Sequence, residues 1–198
     1  MKKYKLVKEK EEGTVFRIIA LRDFSDVRKG EKGGFVQNEN NLSHDGNCWV
    51  YENAVIFGNA QVYDNAVILG TAQVSGEALV FDNAVISGNA RVGNSWNAWV
   101  YGEAWVEDDT QVSASVEVYG EAVLADNAWA TKKVITFGNA FCYKITVSDH
   151  HIRIDCKQHL KSEWKNFSDK EILKMEGKKA LKFWRLFKPL AEQMNLFD

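Results

Sequence analysis

Small and aliphatic residues recur along the middle of the chain with a period of six. From residue 46 the sequence reads as hexapeptides such as ENAVIF, GNAQVY and DNAVIS, and sixteen such units reach residue 143. The third place is usually alanine and the fifth is usually valine or isoleucine. Residues two apart in an extended strand point to the same side. The pattern therefore predicts a narrow core lined by these two places.

The first two places of each unit supply turns. They are mostly Gly or Asp followed by Asn or Glu, and Gly, Asn and Asp tolerate left-handed backbone angles. Three units then close one triangular coil of 18 residues, and the asparagines can stack from coil to coil. We expect residues 46–143 to form five complete coils and the start of a sixth, with the extra residues Asn94 and Ser95 bulging at one corner.

The repeat resembles that of the hexapeptide-repeat left-handed β-helix superfamily. A closer resemblance, to uncharacterised hexapeptide-repeat proteins of phage and prophage genomes, extends from end to end of the chain. It is carried by the segments Ala20–Phe24, Gly33–Phe35, Asn41–Ser43, Gly46–Tyr51 and Ile154–Cys156. The resemblance implies an all-β solenoid, a left-handed parallel β-helix with an N-terminal β cap and a C-terminal helical tail. The superfamily includes acyltransferases, but a fold alone does not determine function.

The ends of a solenoid need covers. Residues 4–8 and 14–21 alternate as strands do, so we assign residues 1–45 to a small β cap. Residues 144–167 predict a closing hairpin and a linker, with Ile145, Val147, Ile152 and Ile154 as its apolar positions.

Residues 168–198 predict a basic helical tail. Ser168-x-x-Glu171 is a capping box that begins a helix reaching about Met175. Gly177 ends this helix, and a second one runs from Lys178 to about Lys188, before Pro189.

Stacking three units per coil assigns the outward residues to faces. One apolar stripe contains Trp49, Val67, Val85, Trp105, Val123 and Phe141. An aromatic ladder contains Tyr63, Phe81, Tyr101, Tyr119 and Phe137. A soluble monomer rarely exposes such stripes, so we expect another subunit, the tail or a ligand to cover them. The favoured cover is a homotrimer, and the alternative for the ladder is a ligand groove.

Charge is segregated along the chain, although its formal net value is only −2. Residues 46–131 contain 11 acidic side chains and one basic, whereas residues 132–198 contain 14 basic and 8 acidic. The tail interleaves cations with aromatic rings: Lys170, Lys174, Lys178, Lys179, Lys182, Arg185 and Lys188 with Trp164, Phe183, Trp184 and Phe187. Such a helix can bind nucleic acid. Docking on the acidic solenoid needs no partner and is favoured.

Cysteine usage and hydropathy place the protein in the cytoplasm. The three cysteines show no paired spacing, which argues for a reducing compartment. The N-terminus lacks the apolar segment of a signal peptide, and no apolar run approaches the roughly 18 residues that would span a membrane.

The coils lack the residue that an acyltransferase of this fold would need. Enzymes of that type use a coil histidine as general base, but residues 46–143 contain no histidine. His44 precedes the first unit and is the sole candidate; we expect it instead to bond a backbone carbonyl in the cap. The sequence therefore predicts a non-catalytic protein without a cofactor.

The remaining histidines and cysteines raise the question of a metal. His150, His151, Cys156 and His159 lie beyond the coils and offer no second close pair for a four-ligand zinc site. We predict a packed hairpin without a metal. The alternative is a zinc knuckle formed by Cys156 and His159 with His150 or His151. Cys48 and Cys142 occupy core places of the repeat and are expected to be buried, inert thiols.

The last residues contain a short motif. Residues 193–197, QMNLF, resemble the peptide with which bacterial replication and repair proteins bind the sliding clamp, with Gln193, Leu196 and Phe197 as contacts. This hypothesis requires residues 191–198 to be mobile. The alternative is the end of an amphipathic helix with Leu190, Met194 and Phe197 on one side.

The sequence favours a cytoplasmic binding protein of phage type. The leading hypothesis is an interaction or counter-defence inhibitor module directed at a host factor, and a variant is a sponge for a small signalling nucleotide. The alternatives are an acyltransferase that uses acetyl-CoA, a sliding-clamp-binding protein and a purely structural role.

Overall fold

A computed structural model describes residues 2–8, 14–93, 97–137 and 143–198. Its centre is a parallel β-solenoid in which each coil contributes a two-residue strand to each of three sheets. The alanines at the third place and the aliphatic residues at the fifth are buried, from Ala54 and Ile56 to Ala122 and Leu124. The predicted solenoid and its narrow core are confirmed, while the left-handed sense of the coil stays a prediction.

The three sheets run the length of the solenoid. Sheet A contains β1 (Tyr4–Val7), β2 (Phe16–Ala20), β3 (Lys32–Val36), β5 (Val55–Ile56), β8 (Gln73–Val74), β11 (Arg91–Val92), β14 (Gln111–Val112) and β17 (Trp129–Ala130). Sheet B contains β4 (Trp49–Val50), β7 (Val67–Ile68), β10 (Val85–Ile86), β13 (Trp105–Val106) and β16 (Val123–Leu124). Sheet C contains β6 (Gln61–Val62), β9 (Leu79–Val80), β12 (Trp99–Val100) and β15 (Glu117–Val118).

Neighbouring strands stay aligned within their sheets, although the sequence spacing between paired residues changes once. Val67 lies beside Val85, 18 residues on, and Val85 lies beside Trp105, 20 residues on. The change to 20 accommodates the two extra residues without displacing the following strands from their sheets. Asn94 and Ser95 themselves lie outside the described residues, so their predicted bulge stays a prediction.

Corner residues adopt the left-handed backbone that the composition predicts. Gly88 has φ +65° and Asp108, one coil later, has φ +58°. At another corner, between sheets C and B, side chains bond from coil to coil: the Asn47 amide donates to the Asn65 Oδ1 at 3.1 Å, and Asn65 donates to Asn83 at the same distance. The predicted asparagine ladder is therefore present at this corner.

The solenoid begins earlier than the predicted boundary at residue 46. β3 pairs in parallel with β5, so that Phe35 lies beside Val55. Leu42 forms a parallel bridge with Val62. Residues 35–50 thus already form a coil, and the domain boundary taken from the repeat was wrong. The hexapeptide pattern is absent there because a 3₁₀ turn (Glu39–Asn41) replaces one corner.

The predicted N-terminal β cap is confirmed. β1 and β2 pair antiparallel, as do β2 and β3. The Tyr4 hydroxyl donates to the Leu42 carbonyl at 2.7 Å. The buried Lys3 ammonium donates to the Cys48 carbonyl at 2.9 Å. These contacts hold the cap on the first coil.

A four-stranded antiparallel sheet closes the other end. It contains β18 (Ile135–Phe137), β19 (Ile145–Val147), β20 (His151–Ile154) and β21 (Lys157–Leu160). The expected closing hairpin is the β19–β20 part of this sheet. Residues 132–137, which were predicted to complete the fifth coil, contain β18 instead, and β18 pairs antiparallel with β19 and not with β15, the last solenoid strand of sheet C. The predicted start of a sixth coil, residues 138–143, lies outside the described residues except for Tyr143.

Two helices follow, α1 (Lys161–Asn166) and α2 (Asp169–Gln193). The Ser168 capping box is confirmed, and α2 is broken at Glu176 and Gly177, as predicted. Arg185 lies 2.6 Å from the Asp169 carboxylate, so the two segments of α2 fold back on each other. The prediction that the tail helix ends before Pro189 is wrong: Ala191, beyond the proline, is buried in the same cluster as Phe187, and packing on both sides of Pro189 maintains the helix.

We expect Gly88→Ala to reduce the free energy of unfolding more than Gly120→Ala does. Both glycines occupy the same place of the repeat, with φ of +65° and +64°. A Cβ at Gly88 would lie 2.7 Å from the Asp108 nitrogen, whereas a Cβ at Gly120 would meet nothing closer than 3.7 Å. Backbone strain of about 1–2 kcal/mol is common to both, and the clash at Gly88 should add about 1–3 kcal/mol. Urea unfolding of the two variants measures this; equal losses would contradict the close stacking of corners.

Candidate functional site

The outward side of sheet B is an apolar face. Its residues are Val67, Val85, Trp105 and Val123, and we call them the apolar face below. The valines are half-buried and Trp105 is 48% exposed. Trp49 was predicted to continue this stripe as an interface residue, but it is fully buried, because the rings of Tyr4 and Phe24 in the cap pack on it at 6.2 and 5.3 Å. Phe141 lies outside the described residues.

Acidic side chains flank both edges of the apolar face. The corner between sheets C and B contains Asp64, Asp82, Glu103 and Glu121. The corner between sheets B and A contains Glu52, Glu107, Asp108, Asp109 and Asp126. Nine of the eleven acidic residues of 46–131 therefore lie along this one side of the solenoid.

Most of these carboxylates have no cation beside them. Lys144 lies 3.2 Å from Glu121, and Arg153 lies 3.4 Å from Asp126 and 4.0 Å from Glu107. The pKa of Glu107 is raised, first by burial and then by Asp108, although Arg153 opposes this. In the part of the chain that the structure describes, no lysine or arginine forms an ion pair with the other six: Glu52, Asp64, Asp82, Glu103, Asp108 and Asp109.

The aromatic ladder is a continuous ring stack. The rings of Tyr63 and Phe81 lie 5.0 Å apart and within 3° of parallel, and Tyr101 follows at 4.9 Å and Tyr119 at 5.6 Å. A planar ligand between two rings would need about 7 Å, twice the roughly 3.5 Å contact distance of carbon atoms. The faces between neighbouring rings are therefore occupied by the rings themselves, and no planar ligand fits between them.

Phe137 does not continue the ladder. It lies in β18 and packs against the C-terminal hydrophobic cluster. Its placement in the ladder was a consequence of extending the repeat one unit too far, since the chain leaves the solenoid before this residue.

His44 lies under the cap, in the coil formed by residues 35–50. Its Nδ1 accepts a hydrogen bond from the Lys3 backbone N–H at 3.3 Å, so the expected bond to a carbonyl is not what orients it. Burial lowers the pKa of His44. In the neutral imidazole that results, the proton is then on Nε2, which is buried and has no hydrogen-bond partner among the described residues. A protonated Nε2 cannot act as a general base.

The candidate metal ligands have other contacts. The His159 ring packs edge-on against Trp164 and Phe167, and its Nδ1 lies 3.6 Å from the Glu163 carboxylate. Cys156 is exposed at the turn between β20 and β21. Over the described ranges, no three His, Cys, Asp or Glu side chains come close enough together to bind a metal ion.

Two cysteines, Cys48 and Cys142, were expected to be buried in the core. Cys48 is buried as predicted, and its Sγ lies 3.2 Å from the Lys3 ammonium. Burial raises the pKa of the Cys48 thiol despite this neighbour. Cys142 lies outside the described residues.

The tail docks on the C-terminal sheet. The expectation that it docks on the acidic solenoid was wrong. Phe183, Trp184 and Phe187 are buried in one cluster with residues of β19 and β20 such as Ile145 and Ile152. The tail aromatics thus cover the apolar side of this sheet.

The terminal peptide belongs to the same cluster. Leu196 is 4% exposed and Phe197 is 7% exposed, with the Phe197 ring 6.2 Å from the Trp184 ring. Only Gln193 of the three predicted contacts remains at the surface. The prediction of an accessible sliding-clamp peptide is wrong, because its two apolar anchors complete the packing of the protein's own helix.

The opposite side of α2 presents a second apolar surface. Leu173, Leu186, Leu190 and Met194 are between 42% and 58% exposed, and we call them the tail patch. Lys178, Lys182 and Arg185 line a shallow groove together with Leu173 and Leu186. The tail patch therefore combines exposed apolar side chains with a basic border.

Comparison with known proteins gives one partial likeness. No family profile matches the chain. A curated Escherichia coli (strain K12) protein named uncharacterized acetyltransferase YdcK is 41% identical over an alignment of 69 positions, covering 29% of this chain. The match spans about a fifth (21%) of that relative's length. Over this stretch the chain is similar to part of a protein named an acetyltransferase.

Of the helices in the described ranges, none is long and apolar enough to cross a membrane.

The His44 contacts predict a pH-dependent stability difference. Burial, the largest cause, lowers the pKa of His44 in the folded protein from its ordinary value of 6.5. At pH values between the folded-state pKa and 6.5 the unfolded chain therefore binds more protons than the folded protein does, and acidification favours unfolding. We expect His44→Gln to lose less stability than the wild type as the pH falls from about 7 to about 5. The matched control is His150→Gln at an exposed turn. Urea unfolding at several pH values measures this, and parallel profiles for wild type and His44→Gln would contradict the buried neutral histidine.

Proposed function

We propose that this protein is a binding scaffold whose apolar face docks an amphipathic helix with basic flanks. The observation that carries the proposal is the placement of nine carboxylates along both edges of one apolar face. The outward residues of the other sheets are mixed: sheet A has Val55 and Trp129 together with Gln73, Arg91 and Gln111, and sheet C has Leu79 and Trp99 together with Gln61 and Glu117. Only sheet B combines an apolar centre with an acidic border.

The dimensions of the face suit a helix. Val67 and Val123 are separated by three coil steps, or about 14 Å at roughly 4.8 Å a step. Apolar residues at positions i, i+4 and i+8 of a helix span about 12 Å. Trp105, half exposed at the centre, is the anchor, since binding energy concentrates in buried aromatic side chains. The carboxylates would steer the approach of a basic partner and select against acidic ones.

The biological role follows from the partner. A host protein that presents such a helix would be sequestered by the scaffold, which is the inhibitor role that the resemblance to phage proteins suggests. The free thiols Cys48 and Cys156 support a reducing, cytoplasmic setting.

An acetyl-CoA-dependent acyltransferase is the second candidate. The partial likeness to a protein named acetyltransferase favours it. The contacts of His44 speak against it, since its Nδ1 already accepts a hydrogen bond from the Lys3 backbone N–H. Calorimetry with acetyl-CoA distinguishes the two. Acetyl-CoA binding with turnover that is unaffected by Trp105→Glu would support the enzyme and count against the scaffold.

The scaffold proposal predicts which tryptophan matters. The probe is a synthetic helical peptide with leucines at i, i+4 and i+8 and lysines on both flanks. Trp105→Glu should raise its Kd by about 30-fold or more, equivalent to the roughly 2 kcal/mol of a hot-spot residue. The matched control is Trp129→Glu on sheet A, where the tryptophan is 50% exposed against 48% for Trp105, and it should leave Kd unchanged.

A second peptide tests the acidic border. In this peptide glutamates replace the flanking lysines, and it should not bind. Equal effects of the two tryptophan variants, or equal binding of the two peptides, would overturn the proposal.

A further inference from the structure

We infer that the helix which fits the apolar face is α2 of a second copy of this chain, so that copies associate head to tail. The inference rests on the proposed function of the face and names its partner. It joins the two apolar surfaces described above, the apolar face on the solenoid and the tail patch on α2.

The two surfaces are complementary in charge. The apolar face is bordered by nine carboxylates, and six of them form no ion pair with a lysine or arginine among the described residues. Lys178 and Lys182 border the tail patch, and among the residues described neither is in an ion pair. Unlike charges at the border of an apolar contact favour encounter and fix its orientation.

The two surfaces also agree in length. Leu186 and Leu190 of α2 and Met194, its C-cap residue, follow one another at four-residue spacing and are exposed. They extend over about 12 Å at 1.5 Å per residue. Val67, Val85 and Trp105 cover two coil steps, about 10 Å at roughly 4.8 Å a step. The helix could therefore lie along the solenoid axis with its leucines over the valines.

The tail cannot serve the apolar face of its own molecule in this arrangement. The inner side of α2 is held on the C-terminal sheet by Phe183, Trp184 and Phe187. The ends of the tail are held as well, since Trp164 donates to the Ile152 carbonyl at 2.7 Å and Leu196 is buried. The tail patch points away from this packing, so it can meet another molecule without any unfolding of α2.

Contact between two apolar faces is disfavoured by the same charges. A symmetric pairing would bring two acidic borders together, and like charges in an interface cost free energy. The contact is therefore heterologous: each molecule uses a different surface on each neighbour. A heterologous contact closes into a ring where the rotation between neighbours permits it, and a trimer is one such ring.

Light scattering of full-length variants tests the inference. The wild type should be oligomeric, whereas Trp105→Glu on the face and Leu186→Glu on the tail should each be monomeric at the same concentration. Both side chains are about half exposed or more, at 48% and 58%, so both variants should keep the wild-type circular dichroism spectrum. Trp129→Glu is the matched control and should retain the wild-type mass.

Mixing the two monomeric variants gives the decisive result. In a head-to-tail contact, the intact tail of Trp105→Glu can bind the intact face of Leu186→Glu, so the mixture should contain a one-to-one heterodimer. A mixture that stays monomeric would overturn the head-to-tail contact.

The peptide experiment separates failure of the inference from failure of the proposed function. A monomeric wild type that still binds the lysine-flanked peptide through Trp105 would overturn the second copy as partner and leave the scaffold intact. A monomeric wild type that does not bind the peptide would overturn both.

Discussion

The stacking of each coil on the one before it is the constraint on which the rest of this structure depends. A strand of two residues has no stability alone; each gains it from hydrogen bonds to the next coil, as where the Val67 nitrogen donates to the Ala84 carbonyl at 2.9 Å. Close stacking also limits the corners, where the backbone turns with positive φ and a Cβ at Gly88 would meet the following coil. The core is correspondingly thin, one alanine and one aliphatic residue for each side of the triangle.

A stack of this kind leaves two open ends, and the structure covers them differently. At the N-terminal end the β cap extends sheet A and folds over Trp49, which removes that residue from the surface. At the C-terminal end the antiparallel sheet bonds the last coil through side chains: Gln158 donates to the Ala125 carbonyl at 2.6 Å, and the Thr146 hydroxyl accepts from the Val123 nitrogen at 3.1 Å. The two covers together define how much of the apolar face stays exposed.

The repeat predicted the solenoid because each hexapeptide contains the information for its own strand and corner, as in Ala54 and Ile56. It could not predict where the solenoid begins or ends, because Leu42 and β18 are placed by contacts outside the repeat. The apolar stripe was visible in the sequence, and so was the acidic character of residues 46–131. That the acidic residues border this stripe follows only when three units are wound into a coil. Long-range packing, which no local sequence pattern reports, covers Trp49, orients the His44 ring and docks the tail on the C-terminal sheet.

The register between coils has a consequence for how the length of such a protein can change during evolution. Between Val85 and Trp105 the offset is 20 instead of 18, and the strands still meet in the same sheet. The connection between these two strands can therefore absorb a small insertion. Loss of a whole hexapeptide is different: removal of residues 88–93 would turn every later strand by one side of the triangle and set Trp105 above Leu79, on sheet C. Duplication or deletion should consequently be tolerated in whole coils, and the apolar side would lengthen or shorten without losing its alignment.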